Sequence, residues 1–285
     1  MHGGYDPFAR GPHPAGVRTL HWTDERRGRT LPVEVWYPAG GAWRGRDLDE
    51  ATRDRYKPLP FAPEVTQDAV RDAEAEADLG SLPLVAFSHG FGGDRRQTTH
   101  LCTHWASHGY AVIAVDHVGN TTADMFQMSG GTPPDPREMF ASFIGDRPAD
   151  ASFVIDRALS GAASLAIDPE RIGIAGHSFG GWTSLVATAR DERIRAALPL
   201  APAGGASPLM PEGENPLAES LELDWKRPVP TLYLVAELDS LLPLAGMRDL
   251  VSRTPDPARG VCLRNADHFH FCDRVEQVHD MFKLM

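Results

Sequence analysis

The stretch Gly176-His177-Ser178-Phe179-Gly180 constrains this chain more than any other. The residues before it, Arg171-Ile172-Gly173-Ile174-Ala175, are short, apolar and β-branched, which predicts a buried strand. Residues 181–190 follow with the pattern of a helix. Glycines on either side of a serine at a strand-to-helix turn let backbone pack on backbone. Such a turn closes sharply and holds the serine in a strained conformation, a nucleophile elbow. The hydroxyl then stands at the carboxyl end of a sheet, where the free N–H groups of a helix favour a developing anion.

Strand-like and helix-like segments alternate along the rest of the chain. Residues 17–22 and 33–37 are expected to open the fold as an antiparallel pair around the polar turn 24–29. Six further strands are expected at 84–88, 111–116, 172–175, 196–200, 231–236 and 260–263. Helices are expected at 95–107, 147–159, 181–190, 244–251 and from Val275 onward. The pattern predicts an α/β fold, a mostly parallel eight-stranded sheet with helices on both faces, in one domain spanning 1–285. Residues 39–80 are long, charged and partly helical in pattern, and are expected to wrap the sheet edge. Residues 118–145, with Pro133-Pro134-Asp135-Pro136 and a Met/Phe-rich content, and the Pro/Gly-rich 202–228 are expected as lid-like insertions. Both follow strands at the carboxyl edge, where open α/β sheets bind ligands. Val275, Val278, Met281, Phe282 and Met285 fall at helical spacing, and the chain stops without a cap signal, which leaves room for a longer natural chain.

A net charge of −11 over 285 residues argues against nucleic acid or an anionic membrane as partner. No apolar run approaches the ~20 residues that a membrane span needs. The amino terminus lacks a basic-then-apolar signal pattern. Cys102, Cys262 and Cys272 are odd in number and lack framework spacing, so reduced thiols in a cytoplasmic protein are expected. A Cys262–Cys272 disulfide is the alternative.

A serine hydroxyl is a weak nucleophile until a base takes its proton and a third group orients that base. The acid is expected just past a late strand, and Asp239 sits in the turn after 231–236, with Glu237 as the alternative. The base is expected after one more strand, at His268, with His270 as the alternative. Acyl transfer also needs donors aimed at an oxyanion. The N–H of Phe179 follows the nucleophile, and that of Phe91 lies in the turn Ser88-His89-Gly90-Phe91-Gly92-Gly93. Trp182, Phe126 and Met125 are candidates for lining an apolar substrate pocket, and His177 is expected in the core under the elbow. His100, His104 and His108 recur every four residues on an expected helix, but no acidic motif accompanies them. No metal and no cofactor are expected.

At these residues the chain resembles the α/β-hydrolase superfamily. It looks most like bacterial predicted dienelactone hydrolases and platelet-activating-factor acetylhydrolase-like serine esterases. The resemblance rests on residues 31–38, 87–93, 116–121, Arg147-Pro148-Ala149-Asp150 and 176–181. Bacterial cutinase-like polyester hydrolases share the Ser-His-Gly-Phe type of oxyanion turn. The resemblance implies the order nucleophile, acid, base, which Ser178, Asp239 and His268 follow. Ser178 stands where true dienelactone hydrolases carry cysteine. Residues 196–210 hold no carboxylate, so the acid position that some acetylhydrolases use is empty and Asp239 remains. The expected reaction is hydrolysis of short-chain or small aromatic carboxylic esters through an acyl-enzyme. Phospholipid acyl cleavage and polyester hydrolysis are the alternatives within the fold. A catalytically silent binding protein is the alternative outside it.

Overall fold

The computed structural model describes residues 9–58, 62–128, 135–208 and 215–275. The chain opens with β1 (Ala15–Asp24) and β2 (Arg29–Pro38), paired antiparallel from Ala15 opposite Pro38 to Asp24 opposite Arg29. Three short strands follow, β3 (Asp54–Tyr56), β4 (Val65–Gln67) and β5 (Val70–Arg71). Then come β6 (Leu82–Ser88), α1 (Thr99–Ser107), β7 (Ala111–Val115), α2 (Thr122–Met128) and α3 (Pro136–Leu159). The chain continues through β8 (Ile167–His177), α4 (Phe179–Arg190), β9 (Ile194–Leu200) and α5 (Pro216–Glu219). It closes with β10 (Thr231–Ala236), α6 (Leu244–Arg253), β11 (Ala258–Leu263) and a 3-10 turn at His268–Phe271.

The main sheet runs β11-β10-β9-β8-β6-β7-β2-β1-β5. Every pairing from β7 to β11 is parallel, and β2 joins β7 antiparallel. Among the described residues this sheet has nine strands where eight are expected. The ninth is the two-residue β5, parallel to β1 at the edge. It comes from the 39–80 stretch, which lies at the sheet edge as expected. Instead of an α-helix, the described part of that stretch holds a single 3-10 turn at Gly41–Trp43 and the β3–β4 pair.

Alternate residues of each strand face opposite sides, and both sides are buried. Leu31, Val33 and Val35 of β2, with Ile113 and Val115 of β7, join one core with Val154 and Ile155 of α3. Trp36 of β2, with Val112 and Ala114 of β7, joins a second core with Cys102 and Ala106 of α1. Burial on both faces is what parallel pairing requires.

Residues 136–145, expected within a lid-like insertion, are instead the first turns of α3. Asp135 caps that helix by accepting the Arg137 N–H at 2.8 Å, so the Asp-Pro pair marks a helix start rather than a break. The described part of 202–228 is packed in place, with Leu217, Leu223 and Trp225 buried in a core shared with Trp182 and Tyr233. Apart from Val275 itself, the expected final helix lies outside the described residues. Because β6, β8, β9, β10 and β11 run parallel, their carboxyl ends share one edge. Ser88, His177, Leu200, Ala236 and Leu263 therefore deliver the next residues of each segment to one place.

Candidate active site

Ser178 links β8 to α4 with φ 57° and ψ −116°, a region that disfavours any residue with a Cβ. The strain is held by neighbours. Ser178 N–H donates to the Leu200 carbonyl at 2.8 Å, and the Ser178 carbonyl accepts from Ala203 N–H at 2.9 Å and Trp182 N–H at 3.1 Å. A Cβ on Gly176 would collide with the Gly180 carbonyl, and one on Gly180 with the Ser88 carbonyl. Only glycine lets β6, β8 and α4 approach this closely.

His268 follows β11 on the 3-10 turn that Asp267 caps. Its Nε2 lies 2.9 Å from Ser178 Oγ and its Nδ1 lies 2.7 Å from Asp239 Oδ2. A carboxylate only accepts, so Nδ1 carries the proton and Nε2 faces the serine as acceptor. Asp239 Oδ1 accepts the N–H groups of Leu241 at 3.0 Å and Leu242 at 2.8 Å. Both side chains are buried. Glu237 is exposed and accepts the Asn265 N–H at 2.9 Å. His270 turns back to its own loop, where Nδ1 accepts the Asp267 N–H at 3.0 Å. The structure thus brings Ser178, His268 and Asp239 into one line and leaves both alternatives outside it.

The oxyanion turn lies beside this line, since a Cβ on Gly90 would stand 3.5 Å from Ser178 Cβ. Its peptide planes are fixed from within. His89 Nδ1–H donates to the Gly90 carbonyl at 2.7 Å, and Gly93 N–H donates to the same oxygen at 3.1 Å. In a trans peptide the N–H points opposite to the C=O, so these bonds turn the Phe91 N–H away from the interior. His89 accepts the His117 N–H on Nε2 at 3.1 Å. His117 in turn donates from Nδ1 to Asp150 at 3.0 Å and accepts the Ser88 hydroxyl on Nε2 at 2.8 Å. Burial pushes both imidazoles well below their usual range, with the Arg147 cation adding to the effect.

A family model described as platelet-activating factor acetylhydrolase, isoform II, matches residues 58–140. A cutinase of Thermobifida alba is 30% identical over 193 residues, 65% of this chain and 53% of that protein. A cutinase of Thermobifida cellulosilytica is 31% identical over 162 residues, 56% of this chain and 49% of that protein. The chain spans about half the length of the curated relatives it matches. Among solved structures, a ferulic acid esterase from Streptomyces cinnamoneus superposes with a TM-score of 0.66 at 26% identity, over 96% of this chain and 81% of that one. These likenesses are all to ester hydrolases, and the structural one extends over nearly the whole of this chain.

In this α/β-hydrolase fold the elbow lies between β8 and α4, and Asp239 and His268 reach it from the turns after β10 and β11. The pocket assignments fare unevenly. Met125 lies against the oxyanion turn, its Cγ 3.1 Å from where a Cβ on Gly92 would be, and Phe126 is exposed. Trp182, expected to line the pocket, is instead wholly buried, with its indole N–H donating to the Leu217 carbonyl at 2.8 Å. The packed α5 segment covers it. The aromatic side chains packed against the oxyanion turn come from α3 instead. Phe140 stacks on Phe91 with centroids 5.8 Å apart, and Phe143 meets Phe91 at 6.2 Å and Phe179 at 6.4 Å. The three helix histidines do not converge. His100 Nδ1 bonds Asp273 at 2.6 Å, while the His104 and His108 rings stand 4.6 Å apart.

Arg147 is the residue that sequence reasoning passes over. It is wholly buried on α3 and donates to Thr183 Oγ1 at 3.0 Å, Ser88 Oγ at 3.2 Å, Asn120 Oδ1 and the His89 carbonyl. Its guanidinium lies 4.4 Å from the centre of the Phe179 ring. Burial pulls its pKa down to about 9, so it remains a cation at neutral pH. One side chain thereby ties β6, the loop after β7, and α4 together beneath the site. The only signal in the sequence is its place in Arg147-Pro148-Ala149-Asp150.

Proposed function

We propose that the chain is a serine carboxylic-ester hydrolase working through an acyl-enzyme, on short-chain or small aromatic esters. The observation that carries this reading is the line Ser178 Oγ, His268 Nε2 at 2.9 Å, His268 Nδ1, Asp239 Oδ2 at 2.7 Å, set on a strained elbow. In this reading His268 takes the hydroxyl proton as Ser178 attacks the ester carbonyl. Asp239 holds the imidazole tautomer and offsets the positive charge that forms. The N–H groups of Phe91 and Phe179 receive the oxyanion. His268 then protonates the departing alcohol, and water repeats the sequence on the acyl-enzyme.

An aromatic part of the ester is supported by the cluster of Phe91, Phe140, Phe143 and Phe179 around the oxyanion turn. The likeness to a ferulic acid esterase points the same way. The cutinase relatives keep polyester fragments as the second substrate reading. The unpaired thiols Cys102, Cys262 and Cys272 support a reducing, cytoplasmic setting. Among the described residues no helix is long and apolar enough to cross a membrane.

A fluorophosphonate probe should label Ser178, and p-nitrophenyl esters of rising chain length, together with a methyl hydroxycinnamate, should rank the acyl groups. A chain that takes no probe and turns over no ester would be the silent scaffold instead.

A further inference from the structure

A hydrogen-bond path outside the triad joins three of the segments that build it. Gln97, between β6 and α1, accepts the Gly90 N–H on Oε1 at 2.7 Å. Its Nε2 lies 3.3 Å from His177 Nδ1 and 3.2 Å from Cys272 Sγ. Across the imidazole ring, His177 Nε2 lies 2.8 Å from the His268 carbonyl oxygen. That oxygen only accepts, so His177 carries its proton on Nε2 and Nδ1 is left as an acceptor. The Gly90 N–H only donates, which fixes the Gln97 amide with oxygen toward Gly90 and nitrogen toward Nδ1; the Cys272 thiol, 3.6 Å from Nδ1, is the other donor in reach. Backbone bonds reinforce the junction. Asp273 N–H donates to the Gln97 carbonyl at 2.8 Å, and Thr98 Oγ1 donates to the Phe271 carbonyl at 3.1 Å.

We propose that Gln97 is a positioning residue which, through His177, holds the oxyanion turn and the loop of His268 at a fixed spacing around Ser178. The proposal rests on the serine-esterase reading. Gly90 directly precedes the Phe91 N–H that would meet the oxyanion, and the bonded carbonyl belongs to the residue that carries the base. These two groups act on opposite sides of one reacting carbon, so their separation matters as much as either position. A misplacement of about 1 Å costs on the order of 10²-fold in rate. His177 suits the task because it stays neutral. It is buried beside a histidine that becomes cationic in each turnover, and both influences oppose its protonation.

Two variants of the full chain test this with p-nitrophenyl acetate. Gln97→Leu removes all three side-chain contacts, to Gly90, His177 and Cys272, with little change of shape. Gln97→Glu keeps an acceptor for Gly90 but, when ionised, offers no proton to His177 Nδ1. Gln97→Leu should lower kcat by ~10- to 100-fold with KM within about threefold, and slow fluorophosphonate labelling in proportion. Gln97→Glu should be most active at the acid end of the range in which His268 still accepts a proton, where a proton is shared with His177, and lose activity as pH rises and that proton leaves. Its profile then gains a descending limb that the wild type lacks. If Gln97→Leu does not fold, the Gln97→Glu profile decides. Wild-type kcat in a folded Gln97→Leu, or a wild-type pH profile for Gln97→Glu, overturns the bridge. A wild-type chain that neither takes the probe nor hydrolyses ester fails at the esterase reading itself, and the role given to Gln97 falls with it.

Discussion

At the scale of residues, the site separates groups of identical chemistry by what each one touches. Ser178→Ala should abolish ester turnover, with a loss of ~10³–10⁶ in kcat, because members of a triad act as a unit. Its melting temperature should stay near wild type, since glycines and backbone bonds hold the elbow. Retention of a tenth of the activity would remove the nucleophile role. Asp239 and His268 make a sharper pair of comparisons. Asp239→Asn should cost about 10⁴ in kcat by favouring the wrong imidazole tautomer, whereas Glu237→Gln should cost less than about tenfold. His268→Ala should be inactive, and His270→Ala should retain turnover. The reverse ranking in either pair, read from kcat with p-nitrophenyl acetate, would transfer the role to the neighbour.

At the scale of elements, α3 decides more than any other helix. Its carboxyl-terminal half packs Val154 and Ile155 on the sheet, its middle supplies Arg147, and its first turns set Phe140 and Phe143 against the oxyanion turn. Phe140→Ala should therefore alter selectivity more than chemistry. The ratio of kcat/KM for a methyl hydroxycinnamate over p-nitrophenyl acetate should fall about tenfold, within what lost apolar contacts in a pocket discriminate. An unchanged ratio in a folded variant would show that these aromatic side chains lie outside the substrate's reach. This helix was also the element least legible in the sequence. Pro133-Pro134-Asp135-Pro136 is expected in a lid-like insertion and the helix only from Arg147, yet the helix begins at Pro136 and passes through Pro148. The Asp135 cap was the available signal, and it depends on one side chain among several turn formers.

At the scale of the whole molecule, the buried imidazoles couple folding to pH. His89, His117 and His177 are held neutral in the folded state by burial. In the unfolded chain each takes a proton near the ordinary histidine value of about 6.5. The unfolded state thus binds more protons as pH falls through that value, and stability drops with acidification. Each such histidine contributes a slope of about 1.4 kcal/mol per pH unit below it. Asp94, raised to about 6, binds its proton in the folded state within this same window and offsets part of the loss, and Asp116 and Asp150, also raised by burial, temper it as well. Urea unfolding of the full chain at pH 7.0 and at about pH 5.5 should show a clearly lower midpoint at the acid value. An unchanged midpoint would mean that these histidines are not kept neutral.

The sequence by itself determined what local rules encode. Short apolar, β-branched runs placed the parallel strands within a few positions, because strands buried on both faces are apolar throughout. The glycines around Ser178 determined the elbow, because a missing Cβ is a property of the residue itself. Asp239 and His268 were legible because parallel strands must end on one edge, so turns after late strands arrive near the nucleophile. Only the tertiary structure decided the rest, and in each case the deciding partner lies far along the chain. Trp182 left the pocket because Leu217 came to cover it. Arg147 became the tie beneath the site because Ser88, His89, Asn120 and Thr183 converge on it. The proton of His177 was placed by the carbonyl of His268 and the amide of Gln97. Hydrogen-bond direction belongs to pairs of groups, and no pattern within one segment specifies it.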